Sequence, residues 1–314
     1  ALRENRGRRF AGHRINLSNQ FTGTIGDQRA GVRQPVRCNR PRSTAAPLER
    51  EHMRTVNITA SLTVLAITLA ACGDGRTSEP TVAALSLMTT GTLTVCAEAS
   101  YPPFELQDNS GEWTGFDIDL MRAIADELGD LRLEVTAQPF EEIWLAPQSG
   151  TCDIAASAIT ITDERQAEAL FSDPYFDVDQ SLLVRAVDAG VLVNAASLVA
   201  KKVAVKSATT GEIYAVENFA GARLVHFDEP SAMYSALLNY EVDAVVQDLP
   251  ANGEQARSND AFAVSATFPT GEQYGFAVSA ENPALLSAVN AALTAARTSG
   301  TYDDLVDTYF EAAG

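Results

Sequence analysis

Short apolar runs alternate with amphipathic segments along this chain from about Thr90 to its end. In the amphipathic segments apolar residues recur every three or four positions, which is typical of helices, whereas the short apolar runs are typical of buried strands. The predicted strands are residues 91–97, 131–136, 153–157, 181–184, 202–206, 225–227 and 244–248. The predicted helices are residues 116–128, 140–147, a segment opening at Thr162, 210–219, 231–239, 283–299 and 301–310. This alternation predicts an α/β fold with parallel sheets.

Local residue types mark the ends of several predicted helices. Leu120 and Ile124 lie on one apolar stripe of the first helix, and Gly129 follows that helix as its expected stop. Asn282 precedes a proline at the first position of a later helix, and Gly300 is the expected end of that helix. These positions bound the helices independently of the apolar pattern.

Charge divides the chain into two unlike parts. Residues 1–52 contain eleven Arg and four acidic residues, lack apolar periodicity and begin with Ala. We interpret them as a leader outside the folded protein, either an over-extended reading frame or a disordered segment; the alternative is a basic arm for nucleic acid. From Cys72 onward, 11 basic residues stand against 37 acidic ones, a net charge of −26. So acidic a surface repels nucleic acid and anionic lipid.

Residues 53–71 have the pattern of a bacterial lipoprotein signal peptide. Arg54 supplies a positive charge, and an apolar stretch too short to span a membrane runs to small residues directly before Cys72. Cys72 is then the lipidation site and residues 72–89 a tether, which predicts a lipid-anchored protein of the cell envelope. The alternative is an ordinary secretory signal with a chance cysteine.

The remaining cysteines bear on covalent structure. With Cys38 in the leader and Cys72 lipidated, Cys96 and Cys152 remain in a compartment that permits disulfides. We expect a bridge between them; two free buried thiols are the alternative. The spacing of Cys and His suggests neither a metal site nor a cofactor.

Six motifs occur in an order that is similar to one family, the polar-amino-acid family of periplasmic solute-binding proteins, over residues 91–313. They are YPPFE at 101–105, GFDIDL at 115–120, SAITITDER at 157–165, FSDPY at 171–175, VAVKSATTG at 203–211 and VDAVVQD at 242–248. The resemblance implies a two-lobed periplasmic-binding-protein fold of type II with two crossover hinge strands, near residues 177–182 and 272–276. Lobe 1 is then residues 90–178 with 276–314, and lobe 2 is residues 182–271.

The resemblance also implies which residues bind the ends of an amino acid. Arg165 offers a planar fork for the carboxylate, and Thr210 adds an N–H at a helix start. Asp248 follows a strand end and pairs with the ammonium, helped by Ser157 and Thr160. On residue type alone, Arg165 could equally be a solvated helix charge and Asp248 a turn cap.

The sequence determines less about the residues that contact the side chain of the ligand. Tyr101 and Phe140 match positions whose rings sandwich the ligand side chain, with ordinary core packing as the alternative. Glu98 favours a cationic side chain, whereas Lys206 repels one and Gln247 suits an amide. If Glu98 and Lys206 pair, the pocket is neutral and polar and glutamine fits; the choice between glutamine and a basic amino acid stays open.

The predicted function is therefore capture of a free amino acid by hinge closure, as the monomeric binding protein of an ABC importer. Its partners are the ligand and the permease subunits, and it touches the membrane only through its anchor. One alternative is an arogenate or prephenate dehydratase on the same fold, but from Cys72 onward His226 is the only histidine, so no nucleophile–His–acid set forms. Another is a ligand-sensing module, which would need a transmembrane helix. We therefore predict that the protein is not an enzyme.

Overall fold

The structure, a computed structural model, describes residues 85–311. The strands within them are β1 Thr92–Ala97, β2 Ser100–Tyr101, β3 Glu105–Gln107, β4 Trp113–Thr114, β5 Arg132–Ala137, β6 Ile154–Ala155, β7 Leu170–Phe171, β8 Phe176–Arg185, β9 Lys202–Lys206, β10 Arg223–Phe227, β11 Ala244–Asp248, β12 Phe262–Tyr274 and β13 Ala277–Val278. The helices are α1 Phe116–Glu127, α2 Asp163–Gln166, α3 Thr210–Asn218, α4 Pro230–Leu238, α5 Leu249–Ser258, α6 Pro283–Ser299 and α7 Thr301–Val306. Single turns of 3-10 helix occur at Ile143–Leu145, Ala186–Asp188 and Ala195–Leu198, and a wider turn at Asp307–Glu311 follows α7.

The first lobe is built on a sheet with strand order β5-β1-β6-β13-β7. β1 runs parallel to β5 and β6, whereas β13 is antiparallel to its two neighbours. Because successive side chains of a strand point to opposite faces, Leu93 and Val95 pack with α1 and α6, while Cys96 packs on the other face with Ile143 and Trp144. Burial on both faces explains why β1 is a nearly continuous apolar run.

The predicted helix ends are confirmed in this lobe. Leu120 and Ile124 of α1 are fully buried, and Gly129 beyond its end has φ 114°, a conformation that favours glycine. The side chain of Asn282 accepts a hydrogen bond from the Leu285 N–H at the start of α6, and Gly300 ends that helix in the left-handed region. Local chemistry therefore sets these boundaries, as the sequence indicates.

The second lobe is built on a sheet with strand order β10-β9-β11-β8-β12. β9 is parallel to β10 and β11, but β8 is antiparallel to β11 and β12. Both sheets are thus mixed: the expected parallel pairing occurs among β5, β1 and β6 and among β10, β9 and β11. The antiparallel strands are β13 in the first sheet and β8 with β12 in the second, because these strands belong to the connections between the lobes and not to strand–helix–strand units.

This pair of long strands forms the hinge. At one end Phe176 of β8 faces Tyr274 of β12, and both rings pack on Phe104 in the first lobe. At the other end Phe262 faces Arg185 within the second lobe. The two-lobed fold with two crossover strands is therefore confirmed.

Several elements differ from the predictions, including the two-residue strands β7 and β13, which lie outside every predicted strand. α5 was not predicted because proline and glycine interrupt its largely polar sequence. The small sheet β2-β3-β4 was not predicted because its strands are only two or three residues long. The predicted helix 140–147 is one 3-10 turn, since Glu142 before it has φ 58° and cannot continue a helix.

The expected disulfide is confirmed. Cys96 and Cys152 are bonded, with their Cα atoms 5.8 Å apart. The bridge ties the end of β1 to the segment before β6, inside the first lobe.

The predicted leader, the signal peptide and the lipidation site at Cys72 lie outside the described residues. Of the predicted tether, residues 85–89 are described, and Leu85 and Leu87 pack against the core of the first lobe. Between Leu85 and Glu311, no helix combines the length and the apolar character needed to cross a membrane.

Candidate ligand-binding cleft

A cleft lies between the lobes, beyond the carboxyl ends of β1 and β6 on one side and of β9 and β11 on the other. Ligands of open α/β sheets bind at such strand ends. The space between these strand ends is narrow and partly sheltered from solvent. Its walls are formed by Glu98, Tyr101, Phe140, Ala158, Thr160, Arg165, Lys206, Thr209, Thr210 and Asp248.

Arg165 extends from the first lobe across this space. Its backbone N–H donates a hydrogen bond to the hydroxyl of Thr162, the N-cap residue of α2, as the sequence predicts. The start of α2 therefore fixes the position of Arg165. The guanidinium donates to the Thr160 carbonyl at 2.8 Å and to the Ala208 carbonyl of the second lobe at 3.1 Å. It also lies 4.5 Å from the centre of the Trp144 ring, which holds its plane.

The environment of Arg165 keeps a strong positive charge in a nearly dry site. The residue is 6% exposed. Burial lowers the pKa of the Arg165 guanidinium, and the nearby Asp248 and Glu272 carboxylates oppose that shift. Arginine keeps its charge throughout the neutral range in proteins, so the group can bind an anion.

Asp248 presents the opposite charge from the second lobe. One carboxylate oxygen accepts hydrogen bonds from the Tyr101 and Tyr274 hydroxyls, the first at 2.7 Å. The other oxygen accepts from the Gln180 amide. Burial, followed by the Asp248 charge, raises the pKa of both tyrosines well above its ordinary value, so they remain donors. Asp248 is thereby held as an oriented carboxylate.

Thr210 lies in the first turn of α3, directly after the N-cap residue Thr209. N–H groups in a first helical turn have no acceptor within the helix and favour an anion. The Thr210 hydroxyl donates to the Glu272 carboxylate at 2.7 Å and lies 3.4 Å from the Thr160 hydroxyl of the first lobe. The two threonines thus meet across the cleft.

A buried ion pair closes another wall of the cleft. The Lys206 ammonium of the second lobe donates to both carboxylate oxygens of Glu98 in the first lobe at 2.5 Å. Both side chains are almost fully buried, and the ammonium lies 4.5 Å from the centre of the Phe140 ring. Burial raises the pKa of the Glu98 carboxyl, while the Lys206 charge opposes the shift.

A model of the family "Bacterial extracellular solute-binding proteins, family 3" matches residues 93–312. The chain belongs to this family. It is 33% identical over 265 residues to the probable histidine-binding protein of Neisseria gonorrhoeae, covering 82% of this chain and 96% of that protein. A solved ancestral arginine-binding protein bound to glutamine has a TM-score of 0.67 at 36% identity, over 71% of this chain and 99% of that one. A solved ancestral amino acid-binding protein, a precursor of cyclohexadienyl dehydratase, has a TM-score of 0.65 at 36% identity, over 70% and 95%.

Two of the residues expected to bind ligand in this solute-binding protein lie away from the cleft. Ser157 points into the first lobe, where its hydroxyl donates to Glu105 at 2.7 Å and accepts from the Glu98 N–H at 3.0 Å. The turn at Ala158, with φ 46°, brings Ala158 to the cleft instead. Gln247 precedes Asp248 in β11 and, because side chains alternate along a strand, lies on the other face beside Tyr234.

Two residues of the hinge strands were missed. Gln180 of β8 is fully buried, and its amide nitrogen lies within hydrogen-bonding distance of Asp248, of Thr210 and, at 3.3 Å, of Glu272. Glu272 is on β12 and binds Thr210. Gln180 and Glu272 lie within the two predicted crossovers, near residues 177–182 and 272–276. That position between the lobes was the only sequence signal that could have pointed to them.

Proposed function

We propose that this protein captures a free polar amino acid between its lobes and delivers it to the permease of an ABC importer. The observation that carries the proposal is the pairing of Arg165 and Asp248, which bring one positive and one negative group from opposite lobes into the same enclosed space. A free α-amino acid carries a negative carboxylate and a positive ammonium, which can pair with Arg165 and Asp248 respectively. It loses its hydration on binding, and each charge then needs an opposite charge and hydrogen bonds.

The carboxylate end of the ligand is assigned to Arg165, the Thr160 and Thr210 hydroxyls and the first turn of α3. The guanidinium fork matches a carboxylate in geometry and is already held by the Trp144 ring and two carbonyls, so little side-chain entropy is lost on binding. The ammonium end is assigned to Asp248, whose tyrosine donors fix its direction.

Glutamine is the ligand that best suits the opposite wall. A carboxamide has both a donor and an acceptor, and so can satisfy Glu98 and Lys206 together. An arginine or lysine side chain gains from Glu98 alone and is repelled by the Lys206 ammonium. A basic amino acid is the second candidate, because the Glu98 carboxylate and the acidic surface both attract cations.

Binding proceeds by hinge closure. The ligand first meets the first lobe through Arg165 and the aromatic residues, and rotation about β8 and β12 brings Thr210 and Asp248 onto it. The contacts that now join the lobes, from Arg165 to Ala208 and from Glu98 to Lys206, mark the closed arrangement. We further propose that Cys72 carries the lipid that keeps the receptor beside the permease.

The test is a thermal-shift panel of the twenty amino acids, ornithine and citrulline with residues 85–314 or the longer secreted form. A ligand at 100 times its dissociation constant stabilises the native state by about 2.7 kcal/mol, which raises the melting temperature by roughly 5–10 °C. Glutamine should give the largest shift, and Arg165→Ala should remove it. A panel in which no amino acid shifts the wild-type melting temperature would contradict the proposal. If arginine, lysine or ornithine gives the largest shift, the ligand is a basic amino acid and not glutamine.

Dehydratase activity is the alternative that the resemblance to a dehydratase precursor raises. His226 is half exposed on β10, where it pairs with Glu212, and it is not among the residues that line the cleft. We expect neither phenylpyruvate from prephenate nor phenylalanine from arogenate when either compound is mixed with the purified protein. Steady formation of either product would reject the binding-only interpretation.

A further inference from the structure

Glu272 occupies an unusual place, because it is a carboxylate carried by the hinge itself. It lies on β12 directly after an irregular stretch between Phe268 and Glu272, where Gly271 has φ 66°. The N–H groups of Thr270 and Gly271 bind the Asp179 carboxylate and hold this bend in place. The backbone therefore presents Glu272 to the cleft from a position between the two lobes.

One oxygen of Glu272 connects the lobes. Oε2 accepts from the Thr210 hydroxyl of the second lobe at 2.7 Å and lies 3.4 Å from the Thr160 hydroxyl of the first lobe. The Gln180 amide is 3.3 Å from the same oxygen. The Glu272 charge also acts on Arg165, whose positive form it favours.

These donors are the ones that the proposed function assigns to the carboxylate of the ligand. Thr160, Thr210 and Arg165 cannot satisfy two carboxylates as well as one, and two negative charges this close repel each other in a poorly solvated site. Glu272 is half-buried and also borders an open groove, so a change of rotamer would take its carboxylate out of the cleft. The lining of that groove includes Thr162, Tyr214 and the acidic residues Asp163, Glu164 and Glu217.

We propose that Glu272 is an internal competitor for the carboxylate of the amino acid: it binds the threonine hydroxyls until the ligand displaces it, and so limits affinity. The inference rests on the proposed function. It makes Glu272 an affinity-setting residue that acts on the end shared by all amino acids, so its effect is independent of the ligand side chain.

The test is isothermal titration calorimetry of L-glutamine and L-arginine with the wild type, Glu272→Gln and Glu272→Ala. Glu272→Gln keeps the shape and an acceptor but removes the charge, so it should bind each amino acid at least about fivefold more tightly than the wild type does. Glu272→Ala should also bind more tightly, by a similar factor for both ligands. Gln273→Ala is the matched control, since Gln273 is exposed on the same strand and, among the described residues, its side chain hydrogen-bonds only to Asp177.

A positioning role would give a different pattern. If Glu272 merely orients Thr210, Glu272→Gln would bind as the wild type does and Glu272→Ala more weakly, and either result overturns the proposal. If the wild type binds neither amino acid, the assignment of glutamine or arginine as the ligand fails instead.

Discussion

Two buried carboxyl groups lie beneath the cleft and should make the stability of the protein depend on pH. Asp117 in the first turn of α1 accepts hydrogen bonds from the Tyr175 hydroxyl at 2.6 Å and the Ala158 N–H at 2.8 Å. Glu105 on β3 accepts one from Ser157. Both side chains are fully buried, and within residues 85–311 each has one oxygen without a hydrogen-bond partner.

The magnitude follows from the pKa of Asp117. Burial raises that pKa from 3.8 to about 7, against the opposing hydrogen bonds from Tyr175 and Ala158. Burial, followed by the Asp117 charge, raises the pKa of Glu105 well above its ordinary value. A raised carboxyl pKa stabilises the fold fully below the unfolded value, and that stability is lost as the pH rises through the folded value. The shift corresponds to about 4 kcal/mol, of which about 3 kcal/mol is lost between pH 4.5 and pH 8.

The perturbation is Asp117→Asn, which keeps an acceptor for the Ala158 N–H and the Tyr175 hydroxyl but removes the charge. Urea unfolding should show that the free energy of unfolding of the wild type falls by about 3 kcal/mol more than that of the variant between pH 4.5 and pH 8. Asp126→Asn, on the exposed face of the same helix, is the matched control and should follow the wild type.

Parallel pH profiles for the wild type and Asp117→Asn would refute this reasoning. They would mean that Asp117 ionises in the folded protein as easily as in the unfolded chain. The loss is large enough to measure, because domains of this kind are stable by only about 5–15 kcal/mol.

Further predictions concern the cleft and the disulfide. Arg165→Ala and Asp248→Ala should each weaken binding of the cognate amino acid by at least about 2–3 kcal/mol, because each leaves a desolvated ligand charge unpaired; calorimetry showing wild-type affinity for either variant would reject the site. Lys206→Met leaves the carboxylate opposite it without a partner, so the ratio of arginine to glutamine affinity should rise, and an unchanged ratio would show that the pair does not select the ligand. Replacing Cys96 and Cys152 by alanine opens a loop of sequence separation 56, which should lower the free energy of urea unfolding by about 4 kcal/mol; an unchanged midpoint would mean that the bridge contributes nothing.

Much of the fold could be predicted because the deciding interactions are local. The buried stripe of α1, the Asn282 cap of α6 and its glycine end depend on residues within one or two turns of each other. The hinge was harder. Between its buried ends, Phe262 and Tyr274, β12 carries only exposed and half-buried residues, and it gains its extended form from pairing with β8, a segment far away in the sequence.

The residue types alone determined the chemistry that the cleft could have, because a guanidinium, a carboxylate or an ammonium has the same charge wherever the chain places it. Only the tertiary structure decided which of these groups meet. Ser157 has a suitable hydroxyl, yet the turn at Ala158 directs it to Glu105. Glu272 looks like one acidic residue among many, yet the bend in β12 brings it to Thr210. Side-chain direction depends on strand pairing and backbone turns formed with distant segments, and no short window of sequence contains that information.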